Sequence, residues 1–568
     1  MRTASRRPRT LLPAFALLAG LLLLAGCEAA DTADDTADPA DAADPTDATD
    51  QVDRVRLAGG DFGHPTPFGW NRGPGRMKAS LAFDTLAWRD GHGEMIPWLA
   101  QDWEADDDGA TWRFDLREDV TWHDGTPLSA QDVAFSYRYA MGDTGATVPT
   151  QTVGALPGLA DLIEEVEATG DHEVEVRLSQ PHAAFLEWVA GEVLIIPEHV
   201  WADVDAPERY RDEDATIGTG PYRVVEADPA SGAYLFEAND DFFLGPPVVE
   251  EVAFVPAPDD EVLALERGEL DVATVDAGAP EAQLEAAAEP EHIERREAPG
   301  EWNKALHINP EAGAPFDDAN ARRALVRAID EQDLVARVYD GRAQVGSTGG
   351  LAPDHPQGAE GLPELGRDLD AMEEALEAAG LARRDETVVD ADGEPVAVEL
   401  LASARDDQRV VELLVSQLRE AGFAAEAQVR DASAADELAR EGDYQVALLG
   451  YGDLARDADL LRLRYSSEVP GEAFNRAAGF ADDRVDELAA AQLRATDPDE
   501  RDALLVDLQQ RLAELVPVRS LVVPDQIALV DTEVLDGWEH TPGCMPCGVH
   551  RNKLLLVTGD LEAPASAP

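Results

Sequence analysis

The sequence predicts an α/β fold spread over more than one domain. At 568 residues the chain is longer than a single core of roughly 100–200 residues accounts for. Its apolar content of 44 % is ordinary for a globular protein. Short stretches in which apolar residues alternate, the mark of strands, are interleaved with stretches repeating every three to four residues, the mark of amphipathic helices. No apolar run beyond the N-terminus is long enough to span a bilayer.

Val52 to Ala58 reads as the first strand, followed by a Gly/Pro-rich loop to Gly75. The most legible stretch is Leu81 to Met141. In it, Leu99-Ala100-Gln101-Asp102-Trp103 closes a Pro-led segment and Asp106-Asp107-Asp108-Gly109 makes a turn. Trp112, Phe114 and Leu116 then alternate with charged residues as a half-buried strand. His123-Asp124-Gly125-Thr126-Pro127 is a second turn, and Ser129-x-x-Asp132 caps a helix with Val133, Tyr137, Ala140 and Met141 on one face. Val174, Val176 and Leu178 mark a strand, and a helical stretch surrounds His199. Gly218-Thr219-Gly220-Pro221 leads into a strand at Tyr222 to Val225, not into the helix that a nucleotide loop needs. Val262 to Glu266 is helical and stopped by Gly268, with Leu270 to Ala273 as strand.

Near Pro299 a new unit begins. Trp302 to Asn309 reads as a buried strand, and Pro315 to Asp318 caps a helix carrying Ala321, Leu325, Ala328 and Ile329. Val410, Leu414 and Leu418 line a helix ended by Gly422, and strands follow at Phe423 to Val429 and Tyr444 to Leu449. Val485 to Leu493 and Leu504 to Leu515 are helical; Leu521 to Val523 and Ile527 to Val530 are strands.

The charge is extreme: 115 acidic against 45 basic side chains, net −70, with Lys78, Lys304 and Lys553 the only lysines. Such a surface repels nucleic acid and anionic lipid. The excess runs along the whole chain, which favours a solvated surface adapted to high salt over a dedicated cation site. Arg2, Arg6, Arg7 and Arg9 precede the apolar run Leu11 to Ala25, an export signal. It ends in Leu24-Ala25-Gly26-Cys27, which resembles the lipobox of bacterial lipoproteins. That implies cleavage after residue 26 and a diacylglyceryl group on the Cys27 thiol; an ordinary signal peptide with an incidental cysteine is the alternative. Ser5-Arg6-Arg7 leaves twin-arginine against general export open. Residues 27–51 are Ala, Asp, Thr and Pro without a large apolar side chain beyond the start, and read as a disordered acidic tether.

The ordered run from Leu81 to Met141 resembles the solute-binding proteins of family 5, which serve dipeptide, oligopeptide and nickel ABC importers. P-x-L-A-x-x-W, a D-G turn, F-x-L-R, F-H-D-G-x-P (with Trp122 in place of the Phe here) and A-x-D-V appear there. Asn309, Pro315, Phe316, Arg323, Ala324, Leu325, Ala328, Ile329 and Asp330 match a second family string. The resemblance implies a two-lobed periplasmic-binding-protein-like fold (class II), with mixed sheets covered by helices. Lobe one is expected at 52–80, 218–300 and 520–560 with a subdomain inserted at 81–217, lobe two at 301–519, and a disordered tail at 561–568. It implies a monomer, held at the outer face of the cytoplasmic membrane by its lipid, that takes a peptide between closing lobes. Its partners would be ABC permease subunits with their cytoplasmic ATPase.

Within that frame Gly450-Tyr451-Gly452-Asp453 follows the apolar strand Val446 to Leu449. A carboxylate at a strand end beside an aromatic ring suits a cationic amine. In peptide-binding members a comparable run holds the ligand's α-amino group, which points to Asp453, with Tyr451 and Gly452 beside it. Arg405 suits a ligand carboxylate through its bidentate fork, with Arg409 competing. Trp302 and Asn303 stand where the family's second lobe meets the cleft; Trp302 is either a stacking surface or core. His123-Asp124 is explained by its turn. Cys544 and Cys547 most simply form a small-loop disulfide; a zinc site needs His550 and His540 to join. No metal or cofactor is expected. No G-x-S-x-G or H-E-x-x-H occurs, so no enzyme is expected. The alternatives are a family binder of nickel or a metallophore, a sugar or another small solute, and a surface sensor or adhesin without transport.

Overall fold

The structure is a computed structural model that describes residues 51–71, 75–149, 152–154, 156, 158–469, 476–542 and 552–561. Cys27, Cys544, Cys547 and His550 lie outside the described residues, as do the signal, nearly all the tether and the tail beyond Leu561. Among the described residues no helix is long and apolar enough to cross a membrane.

The first strand, Val52–Ala58, pairs in parallel with Val249–Val255, which continues antiparallel to Ala233–Ala238 and then Tyr222–Asp228. The inserted segment builds its own antiparallel sheet in the order Ala100–Ala105, Thr111–Leu116, Glu173–Leu178, Ile163–Ala168. Alternation decides its faces: Phe114, Leu116, Val174 and Val176 are buried, while Arg113 reaches Glu175 at 3.1 Å on the other side. The helix Ala130–Met141 covers this sheet. Its N-terminus is fixed by Asp132, whose carboxylate accepts from the Ser129 amide at 2.9 Å, the Ser129 hydroxyl at 2.8 Å and the Glu198 amide at 3.0 Å. Asp132→Ala strands two buried or half-buried amides and is expected to cost about 1–2 kcal/mol. Urea unfolding checks it, and an unchanged midpoint would show that water replaces the carboxylate.

The larger sheet has six strands in the order Ala343–Val345, Val518–Pro524, Lys304–Ile308, Val446–Leu449, Ala397–Ser403, Ala424–Arg430. Ala397–Ser403 and Ala424–Arg430 are parallel and joined by the helix Gln408–Ala421, whose Val410, Leu414 and Leu418 are buried. Gly422 ends that helix at φ 105°.

These two halves have separate apolar cores, giving a two-lobed α/β fold. A three-stranded sheet, Val272–Val275, Gln526–Asp531 and Ile293–Ala298, stands between them. Its central strand sends Ala528 and Val530 into the first core and Ile527 and Leu529 into the second. A strand buried on both faces reads as an unbroken apolar run. Ala273, Leu284 and Ile293 join the second core, and Val518–Pro524 belongs to the six-stranded sheet. The chain therefore crosses between the large sheet and the small one at 299–303 and at Asp525. The crossings touch backbone to backbone: a Cβ on Gly300 would lie 1.8 Å from the Pro524 carbonyl oxygen, so only glycine fits there.

The three lysines are not surface groups. Lys553 and Lys78 are buried and Lys304 is half-buried.

Candidate functional site

Strand directions gather the candidate residues at one end of the six-stranded sheet. Lys304–Ile308 runs antiparallel to Val446–Leu449, which is parallel to Ala397–Ser403. The residues before the first strand and after the other two therefore share one sheet end. This places Trp302 and Asn303, Tyr451 to Asp453, and Arg405 together along it. In open α/β sheets, ligands gather at the carboxyl ends of strands.

Asn303 is a structural pin. Its amide N–H donates to the Tyr451 carbonyl at 3.1 Å, its Oδ1 accepts from the Tyr451 amide at 3.0 Å, and its Nδ2 donates to Ser520 at 3.1 Å. Tyr451 is buried behind the site, its hydroxyl 3.0 Å from that of Tyr465 and its ring 4.6 Å from the Arg464 guanidinium. Gly452 lies under the Trp302 indole, where a Cβ would come within 2.4 Å of the ring. Trp302 itself is 52 % exposed, one of few large apolar side chains left open to solvent among the described residues.

Asp453 adopts φ 64°, a left-handed conformation that aspartate tolerates better than most residues. Its Oδ1 is buried without a hydrogen-bond partner. Arg456 and Arg464 stand off at 3.9 and 4.0 Å, beyond hydrogen-bonding distance. Burial pushes the Asp453 carboxyl above its ordinary value, with Glu192 and Glu301 adding to the shift against the two arginines. The neighbouring aspartates differ. Asp457 is paired with Arg501 at 2.5 and 2.7 Å, and Asp459 with Arg462 and Gln492 at 2.7–2.8 Å. Of the three, Asp453 alone keeps a buried oxygen without a donor.

Arg405 is on the same sheet end but makes no hydrogen bond or ion pair with the Asp453 group. Its side chain is 74 % exposed, and among the described residues its one ion pair is with Asp436 at 3.7 Å. Arg409 is occupied by Asp407 and by the Gly278 carbonyl at 3.2–3.3 Å. His123 receives the Gly218 amide at 3.2 Å and meets the Gly220 carbonyl at 2.9 Å, while Asp124 accepts from the Thr126 amide of its turn at 2.9 Å. Burial lowers the His123 pKa to about 4, so it is neutral and structural. His540 pairs with Glu301 at 2.8 Å. No cluster of His, Cys, Asp or Glu fit for a metal occurs among the described residues.

Several residues around Asp453 had no mark in the sequence. Arg456 follows three positions on, yet its partners Glu187 and Glu192 come from the inserted segment. Arg464 and Glu301 complete the charged surroundings.

A family profile, bacterial extracellular solute-binding proteins, family 5 (middle), matches residues 94–471. The chain is 26 % identical over 477 residues to the probable di/tripeptide-binding protein 5 of Pseudomonas aeruginosa, covering 80 % of this chain and 86 % of that protein. It is 32 % identical over 449 residues to protein XP55 of Streptomyces lividans, covering 78 % of each. It is 26 % identical over 457 residues to the nickel-binding periplasmic protein of Escherichia coli, covering 77 % and 83 %. The oligopeptide-binding protein AppA of Bacillus subtilis, solved with a nonapeptide, superposes with a TM-score of 0.71 at 19 % identity. The match spans 88 % of this chain and 99 % of that one, a likeness of fold.

Proposed function

Because the chain belongs to the bacterial extracellular solute-binding proteins of family 5, we propose that its solute is a di- or oligopeptide, taken between the two lobes and passed to an ABC permease. Family members are binding components of ABC importers, not enzymes. The observation that carries the peptide reading is the buried, donor-less Oδ1 of Asp453 at a strand end. A peptide's α-ammonium supplies the missing donor and a compensating charge together. The half-exposed Trp302 offers a stacking face beside it. Arg405, exposed and paired with Asp436 at 3.7 Å, is the proposed partner of the peptide's carboxylate.

Closure is then a population shift driven by contacts that form only when both lobes touch the solute. In this proposal Cys27 carries the lipid that holds the protein, as a monomer, outside the cytoplasmic membrane, and the acidic tether gives it reach. The acidic surface is adapted to salt, and Cys544 and Cys547 form a disulfide.

Titration calorimetry tests the reading. Di-, tri- and longer peptides with free amines are expected to bind, and their N-acetylated forms to bind about 100-fold more weakly. The preference is expected to persist from low to high salt, because a buried pair is little screened. Binding of a nickel chelate with no response to any peptide would replace this solute with a metal complex.

A further inference from the structure

The five residues Leu186–Ala190 form a single π-helical turn in the inserted segment. Such turns are rare and concentrate at functional positions. Leu186, Val189 and Ala190 pack with the first core, whereas the intervening Trp188 packs against the cluster of Leu454, Ala458 and Leu461 in the second half. The Arg456 guanidinium lies over the Trp188 ring at 3.7 Å. Its Nε donates to Glu187 Oε1 at 3.0 Å and its Nη2 approaches Glu192 Oε1 at 3.1 Å and the Glu187 carbonyl at 3.2 Å. The same Glu187 oxygen accepts the Asp457 amide at 3.1 Å. On its own lobe Glu187 is held by Arg89 at 2.7 Å, and Glu192 by Arg76 at 3.4 Å. A backbone bond from the Ala183 amide to the Leu493 carbonyl, 2.8 Å, lies alongside. Arg456 is 8 % exposed.

We infer that Arg456, seated on Trp188 and gripped by Glu187 and Glu192, is an interlobe latch that holds the lobes together beside the Asp453 site and sets how fast a solute leaves. This rests on the reading that the lobes enclose a solute. Arg456 is a positioning residue: its guanidinium stands 3.9 Å from Asp453 and gives its hydrogen bonds to the opposite lobe. A desolvated, multiply bonded charge pair acts mainly on dissociation. Arginine suits the place because its flat fork bonds two carboxylates while its face stacks on an indole.

The test compares the wild type with Glu187→Gln and Arg456→Met, one variant on each side. Without solute, X-ray scattering is expected to give a larger radius of gyration for both variants. With bound peptide, stopped-flow release is expected to be roughly 30-fold faster or more. In the wild type, hydrogen exchange without solute is expected to find the Ala183 and Asp457 amides protected. An unchanged radius without solute or an unchanged release in either folded variant, or free exchange at both amides, overturns the latch. The solute-free arms decide the latch even where no peptide binds, which would sink the proposed solute alone.

Discussion

Replacing Lys553 by methionine is expected to lower stability by about 3–5 kcal/mol, the cost of leaving a buried charge without its partner. Lys553 opens the short helix Lys553–Thr558, whose Leu554, Leu555 and Leu556 sit in the first core. Its Nζ is 2.6 Å from Asp84 Oδ1 and 3.2 Å from the Ser80 carbonyl, above the rings of Trp88 and Trp98 at 4.0 and 4.5 Å. Both side chains of the pair are 0 % exposed. Burial pushes the lysine below its ordinary pKa and Asp84 pulls it back. Asp84 also accepts from Trp98 Nε1 at 2.7 Å and from Thr219 at 2.8 Å, so its carboxylate joins helix end, indole and loop in one knot. Methionine fills the lysine's volume but leaves the carboxylate charged in a dry place. The double variant Lys553→Met with Asp84→Asn removes that charge and keeps an acceptor oxygen. It is expected to recover about 1–2 kcal/mol of the loss in urea unfolding. A double variant no more stable than the single one would mean that lost packing, not stranded charge, causes the damage.

Asp453→Asn is expected to lower peptide affinity by about 100-fold or more while leaving thermal stability equal or higher. Asparagine accepts a positive φ as readily as aspartate does, so the loop keeps its shape. Its neutral amide removes a buried charge with an unsatisfied oxygen. Affinity and stability thus move in opposite directions, which a merely structural aspartate would not do. The pH dependence has a definite sign. Amine capture needs the ionised carboxylate, and burial raises the Asp453 pKa above its ordinary 3.8. Affinity is therefore full above the raised pKa and falls as pH drops through it, at a higher pH than for an exposed aspartate. The folded state binds this proton more readily than the unfolded chain, so the same protonation favours folding as pH falls. Calorimetry across the acid range beside unfolding of wild type and variant checks both signs.

What was legible in the sequence was local. Ser129 and Asp132 lie three residues apart and cap their helix within one turn of chain. Trp112, Phe114 and Leu116 name their strand by alternation, and Asp453 could be chosen because an apolar strand ends just before it. The family strings supplied the two lobes. Sequence could not pair partners that the fold brings from far away: Arg456 meets Glu187 across 269 positions. In a chain with 115 acidic residues, no single glutamate stands out as the one that will be buried. Arg405 had the right chemistry, but its degree of exposure depends on how the loop after Ser403 bends. That bend follows from Asp406 accepting the Ser403 amide at 2.7 Å. Tyr451 and Asn303 were expected at the ligand, yet their polar atoms are taken up by each other and, for the Tyr451 hydroxyl, by Tyr465 on the following helix. The strand Gln526–Asp531 shows the same limit: an apolar run says that both sides are covered, not by which lobe.

The burial of the lysines has a practical side. With Lys553 and Lys78 enclosed and Lys304 half-covered, reagents that attack side-chain amines meet almost no target on the folded protein. Coupling to a sensor chip or a dye is better directed at carboxylates. Amine acylation that becomes extensive only on heating would then report unfolding itself, residue by residue, at Lys78 and Lys553.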